Sequence, residues 1–173
     1  MGISESEYRA MLAGNPELVA DDPGVVTAAQ LERAVMQGSR TPTEHDEQVA
    51  LFQWAAANEE EHEELKLLFA VPNGGYRPMT TAAMLREEGV KAGVPDCCLP
   101  VARGRFYSLW LELKRADRSN HPTPAQAEWI ECLRSYGHMA VVCYGAQEAI
   151  IVIKDYLTQE RRDRDCDSRG NVV

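Results

Sequence analysis

The order of apolar patterns along the 173 residues predicts an α/β fold, a mixed central sheet flanked by helices and preceded by a helical appendage. Three observations carry this reading. Short apolar runs bounded by Pro, Gly and Asn alternate with segments of helical periodicity. The stretch Phe106-Tyr-Ser-Leu-Trp-Leu-Glu-Leu-Lys114 has the alternation of a strand. A hydrophobic share of 45 % is enough for a core and excludes wholesale disorder.

Residues 1–40 form the appendage. Ser4 to Leu12 makes one short helix, Asn15-Pro16 and Asp22-Pro23-Gly24 are turns, and Thr27 to Gln37 places Ala28, Leu31 and Val35 at helical spacing before Gly38. After the linker Ser39–Thr43, Thr43 caps a helix from Glu44 to about Asn58, with Val49, Phe52 and Ala56 as its apolar face. The acid run Glu59 to Leu65 continues or restarts that helix as a solvated face. Leu67 to Val71 is a strand stopped by Pro72, Asn73, Gly74 and Gly75, and Thr80 to Glu88 a helix closed by Gly89. Gly93 to Pro100 is a strand entered through a tight turn, and Arg103-Gly104 folds it back onto Phe106–Lys114. Thr123–Ser135 is a helix, Met139–Tyr144 a buried strand and Ala146–Leu157 a closing helix. This divides the chain into the appendage 1–40, a domain 41–157 and a frayed, mixed-charge tail 158–173.

Charge first argues against a polyphosphate partner. Eighteen basic against 27 acidic residues give −9, and phosphate binding is driven by cationic surface. The acidity is uneven, however. Residues 1–71 hold four basic and fourteen acidic side chains, whereas residues 72–157 hold ten and nine. A nucleic-acid partner is therefore compatible with the second half of the chain. The longest apolar stretch, Met139 to Ile153, is interrupted by Gln147 and Glu148 and falls short of the roughly 20 residues a membrane helix needs. The acidic start, MGISESEYRA, is unlike an export signal, and five cysteines without a CxxC spacing argue against a disulfide framework or a cysteine zinc site. These features point to a reduced, cytoplasmic protein.

The chemistry concentrates at the end of the long strand. Tyr107, Leu109, Leu111 and Leu113 share one face, and Ser108, Trp110, Glu112 and Lys114 the other, so an acid and a base emerge side by side. A hairpin of the predicted length brings Asp96 beside Glu112. Two carboxylates held together repel each other, and a hard divalent cation relieves this. Magnesium takes one or two carboxylates together with waters and phosphate oxygens, so the pair suits phosphate chemistry, with Lys114 stabilising developing charge.

At this point five motifs occurring in order resemble a known family. NGG-YR, KAGVPDCCLP, LWLELK, TPAQAEWIECLRSYG and AVVCYGAQEAI are similar to the VRR-NUC branch of the PD-(D/E)xK nucleases over residues 41–157. The resemblance implies a restriction-endonuclease-like, Holliday-junction-resolvase-like fold and a metal-dependent DNA endonuclease, selective for branched DNA and dimeric, of a type found in phages and bacteria. It implies that Asp96, Glu112 and the Leu113 carbonyl hold Mg²⁺ or Mn²⁺, and that Lys114 is the catalytic lysine. It places Gln126 near the scissile phosphate and Glu44 as the first-helix acid, with Glu47 a competitor in the same TEHDEQ segment. Glu44 and Gln48 share a helical face, which favours Glu44. Gln126 also completes a capping box with Thr123, a second role that competes with the first. Asn73, Gly74 and Arg77 match the family's substrate loop. Lys91, Arg103, Arg105, Arg115 and Arg118 are the further cations offered to the DNA backbone. His121, in SNHPTP, is either a phosphate donor or a solvated loop residue. A nucleic-acid-binding protein that keeps the fold without cleaving, and an interaction module using the acidic half, are the competing readings.

Overall fold

The computed structural model describes residues 41–72 and 84–161. The predicted appendage, the Asn73–Arg77 loop, the start of the Thr80–Glu88 helix and most of the tail lie outside the described residues, although 84–87 are helical. Helix α1 is Glu44–Ala57, and a 3-10 turn covers Glu63–Leu67. Strands β1 (Phe69–Ala70), β2 (Cys97–Leu99) and β3 (Leu109–Lys114) follow, then helix α2 (Pro124–Ser135), strand β4 (Met139–Tyr144) and helix α3 (Ala146–Thr158).

The sheet is mixed, in the order β1-β2-β3-β4. β2 runs antiparallel to β1 and β3, with Cys97 opposite Leu111 and Leu99 opposite Leu109. β3 and β4 are parallel, from Leu109 against Met139 to Lys114 against Tyr144. A parallel pair needs a crossover, and α2 supplies it. The α/β class and the mixed sheet are therefore as the sequence predicts.

The larger core lies on the face carrying Leu109, Leu111 and Leu113, which pack with Val141 and Cys143 against Leu51, Trp54 and Ala55 of α1 and Ala149, Val152, Ile153 and Tyr156 of α3. A smaller cluster of Ile130, Ala140 and Val142, with Trp110, Leu133 and Tyr144 packed on it, forms beneath α2. Because both faces are covered, β3 is buried at every position but Trp110, including Glu112 and Lys114. α1 begins with a capping box. The Thr43 hydroxyl accepts from the Asp46 amide at 3.2 Å, and the Asp46 carboxylate accepts from the Thr43 amide at 2.7 Å.

Several details differ from expectation. The buried face of α1 is Glu47, Leu51, Trp54 and Ala55 rather than Val49, Phe52 and Ala56, because apolar residues occupy two faces of this helix and only one meets the sheet. The acid run restarts rather than continues the helix, and not wholly as a solvated face. It breaks at Ala57 and re-forms as the 3-10 turn, which buries Leu65 and sets Glu64 against Arg103. The long strand starts at Leu109 rather than Phe106, with Tyr107 exposed. Cys132 lies exposed on α2. Gly93 (φ 86°) lets the chain pass over α2, since a Cβ there would lie 2.8 Å from the Ala125 backbone.

Candidate active site

The carboxyl ends of the two parallel strands are where the chemistry-bearing residues meet, a position in an open α/β sheet that suits ligand binding. Lys114 closes β3. From the register of Cys97 against Leu111, Asp96 lies one step further along the ladder, opposite Glu112. Its Oδ2 accepts from the Leu113 amide at 2.8 Å. The first turn of α1 brings Glu44 to the same end, and the first turn of α2 brings Gln126.

Glu112 is fully buried and Lys114 is 3 % exposed. The lysine Nζ donates to Glu112 Oε1 at 2.5 Å and to the Leu113 carbonyl at 2.9 Å, and lies 3.6 Å from Glu44 Oε1. Glu112 Oε1 also accepts from Gln126 Nε2. Its other oxygen, Oε2, is buried with no hydrogen-bond partner. Two carboxylates thus pair with one ammonium, and the charge of a third, Asp96, acts on it as well.

The electrostatics follow from this crowding. Burial, and then the charge of Asp96, push the Glu112 carboxyl up to about 7, against the pull of Lys114. Burial also raises Asp96, aided by Glu44 and opposed by the Leu113 amide and Lys114. Burial alone would lower Lys114, but Glu112, Glu44 and Asp96 outweigh it and hold the ammonium above its usual range.

These residues fit a divalent cation by charge and by chemistry. The orphaned Glu112 Oε2 is a hard anionic oxygen lacking a donor, and the surplus of carboxylate over ammonium is what a cation offsets. Among the described residues no group of three or more His, Cys, Asp or Glu forms an all-protein metal cage. A cation held here therefore takes part of its coordination from water or a phosphate, the habit of magnesium.

Gln126 resolves a conflict that looked exclusive in sequence. Its Oε1 accepts from the Thr123 amide at 2.8 Å and completes the capping box, while its Nε2 reaches Glu112. One end of the amide caps the helix while the other contacts Glu112, so the capping box does not keep Gln126 away from the carboxylate cluster. Geometry also separates Glu44 from Glu47. Glu44 faces Lys114, whereas the buried Glu47 accepts from the Ala146 amide at 2.8 Å and caps α3.

The remaining expected cations divide. Lys91 is exposed in a loop held to α2 by the Trp129 indole, which donates to the Ala92 carbonyl at 3.0 Å. Arg115 and Arg118 lie in the turn leaving β3, with Arg115 pairing with Asp117 at 2.9 Å. Arg103 is not at this site. It is buried, paired with Glu64, and lies beyond the opposite end of β3, whose six residues span about 17 Å. Arg105, near the same end, stacks over Phe106. The burial of Arg103 carries no local sequence signal because its partner Glu64 sits 39 residues away in the acid run, whereas Arg105 is exposed. Asn73 and Arg77 lie outside the described residues.

Asn120 was missed. Its Nδ2 donates to Glu44 Oε2 at 2.8 Å and its Oδ1 accepts from the Arg115 amide at 3.1 Å, so it ties α1 to the exit of β3. An asparagine 76 residues from its partner carries no local sequence signal.

The buried carboxyl sets a pH dependence. The folded-state value of about 7 for Glu112 exceeds its ordinary 4.5, so the stability it contributes is fully present below about pH 4.5 and lost as the pH rises through 7. Asp96 shifts in the same direction, and Lys114 stays charged across this window. Without divalent cations, stability is expected to fall by on the order of 2 kcal/mol between pH 5 and pH 8. Calorimetric Tm measured across that range checks this, with Glu112→Gln flattening the slope to what Asp96 contributes. A slope as steep in Glu112→Gln as in the wild type would exclude Glu112 as its source.

No family model matches the chain, and neither does any curated protein. Solved structures do match. A VRR_NUC domain protein shares 31 % identity with a TM-score of 0.61, over 72 % of this chain and 95 % of its own.

Proposed function

The chain belongs to the VRR-NUC family, a nuclease-fold family, and on that premise we propose that it is a metal-dependent DNA endonuclease hydrolysing phosphodiester bonds, with branched or junction DNA as its preferred substrate and residues 41–157 as its catalytic unit. The single observation that carries the reading is the meeting of Asp96, Glu112 and Glu44 around the buried Lys114 ammonium, with one Glu112 oxygen left without a donor.

Asp96, Glu112 and the Leu113 carbonyl would hold Mg²⁺ or Mn²⁺. When bound, the cation supplies Lewis-acid stabilisation of phosphate charge and makes water more acidic. Lys114 brings a fixed positive charge to the same point, where negative charge develops on the phosphoryl oxygens during in-line attack. Its position is set by Glu112 and by Glu44, which Asn120 holds in turn. Gln126 orients the Glu112 carboxylate and belongs to a capped helix terminus, so it costs little to preorganise. The 3′ oxygen leaves and a 5′-phosphate product results. Lys91, Arg115 and Arg118 are the cations near this end that would contact the DNA backbone. A homodimer would match the two-fold symmetry of a branched substrate.

Cleavage of linear, flap and four-way DNA with Mg²⁺ or Mn²⁺ tests the proposal, with Asp96→Ala as the control. Cleavage that requires the cation, prefers a branched substrate and disappears in Asp96→Ala is expected. Equal activity in Asp96→Ala would overturn the site assignment. Binding without cutting in every metal would identify a nucleic-acid-binding protein that keeps the fold.

A further inference from the structure

Beside the proposed cleavage centre lies a second cluster, of which the proposed mechanism uses only Arg118, as one of the backbone cations. Tyr144 is the register partner of Lys114, and the Gly145 amide donates to the Lys114 carbonyl at 2.8 Å, so the Tyr144 ring belongs to the rim of the same strand ends. Two side chains from the loop after β3 converge on it. The Arg118 guanidinium stacks over the ring at 4.2 Å. The His121 ring meets it edge-on, with centroids 6.3 Å apart and Nδ1 3.1 Å from the Tyr144 hydroxyl.

Arg118 holds this position at a cost. It has a φ of 57°, and among the described residues no other non-glycine residue has positive φ. Left-handed backbone costs an ordinary side chain about 1 kcal/mol, which Gly avoids and Asn largely avoids. The contacts of Arg118 do not offset that cost by themselves. Its side chain is 48 % exposed, and its ion pair with Glu148 is long, at 3.5 Å. Glu148 is itself engaged, accepting from the Tyr144 amide at 2.8 Å. Stacking occupies the face of the guanidinium and leaves most of its N–H edge for an anion. When the Tyr144 hydroxyl donates to Nδ1, the neutral His121 ring carries its proton on Nε2, adding a donor on an exposed ring.

We propose that Arg118, His121 and Tyr144 form a subsite for a phosphodiester of the substrate strand adjoining the scissile bond. This rests on the nuclease reading and deepens it by fixing where the uncut part of the strand lies. The bound anion meets a stacked guanidinium and an imidazole N–H, while Glu148 and Asp117 on its border set a limit on affinity.

The test is fluorescence anisotropy of the full chain with a short fluorescein-labelled duplex, in EDTA and in Ca²⁺, across a salt series, alongside cleavage in Mg²⁺. Arg118→Gly suits the backbone, so its Tm is expected to hold or rise, and Arg118→Asn is the second variant tolerant of that conformation. Each is expected to weaken binding about tenfold and to reduce the slope of log K against log salt by about one. KM should rise while kcat stays within a factor of about two, because the contact is made equally before and during cleavage. Tyr144→Leu, which removes the ring that holds the guanidinium, should weaken binding as Arg118→Gly does. Unchanged affinity and salt slope in Arg118→Gly and Arg118→Asn, with wild-type cleavage intact, would overturn the subsite alone. Wild-type protein that binds, with the predicted loss in the variants, but never cuts would overturn the nuclease reading and leave the subsite. Absence of DNA binding by the wild type would overturn both.

Discussion

Replacing Lys114 by methionine is expected to lower the rate of DNA cleavage at saturating substrate by ~10²–10³-fold, the usual consequence of removing one preorganised electrostatic group from a transition state. The side chains have similar length, so the strand geometry should survive, and the loss should lie in kcat more than in KM. The effect on stability is pH-dependent. Breaking a buried ion pair by removing one partner costs about 3–5 kcal/mol when the other charge is stranded. Here Glu112 has a way out. Burial and Asp96 already raise its carboxyl to about 7, and removal of the ammonium raises it further, so a proton can replace the lysine. Lys114→Met should therefore be nearly as stable as the wild type at pH 5 and clearly less stable at pH 8. Single-turnover cleavage and Tm at the two pH values check both parts. Full activity in the variant, or an equal loss of Tm at both values, would refute the role given to the lysine.

The parts of this centre that were legible in the sequence are those set by short-range geometry. The alternation of Leu109–Lys114 puts Glu112 and Lys114 on one face whatever surrounds the strand, and the sixteen-residue hairpin spacing brings Asp96 to the same end. Thr123 and Gln126 announce a helix start because capping is a local matter. What could not be read depends on partners far away in the chain. Arg103 looked like a free cation because Glu64 is 39 residues distant. Asn120 meets Glu44 across 76 residues, and Glu47 meets Ala146 across 99. The burial of Glu112 was hidden for a related reason. An alternating strand suggests one wet face, and only the docking of α2 makes that face dry. That dryness raises the Glu112 carboxyl and gives its unpartnered oxygen an affinity for a cation. The net charge of −9 acquires a local meaning here too, since part of the acidity in the second half of the chain is the Asp96 and Glu112 pair itself.

Glu44 and Glu47, two of the three acids in the first turn of α1, should separate function from stability. The N-cap residue of helix α3 is Gly145, which has no side chain to cap it, and the Glu47 carboxylate supplies the missing acceptor from α1. A carboxylate at a helix N-terminus also meets the positive end of the peptide dipoles. Glu47→Ala removes this acceptor and leaves a void in a wall that is 7 % exposed, so a loss of about 2–4 kcal/mol is expected. The loss should spread to the pairing of β3 with β4, because the Gly145 amide bonds to the Lys114 carbonyl just beside the cap. Glu44→Gln should behave in the opposite way. It keeps an acceptor for Asn120 and sits 38 % exposed, so Tm should change by less than about 0.5 kcal/mol in stability terms. Removing its charge, however, lets the Lys114 ammonium shift, and cleavage should fall by about tenfold or more. Urea unfolding and single-turnover cleavage of the two variants read these outcomes. If Glu47→Ala were stable but inactive, and Glu44→Gln unstable but active, the two residues would have exchanged roles and the cap at Ala146 would be incidental.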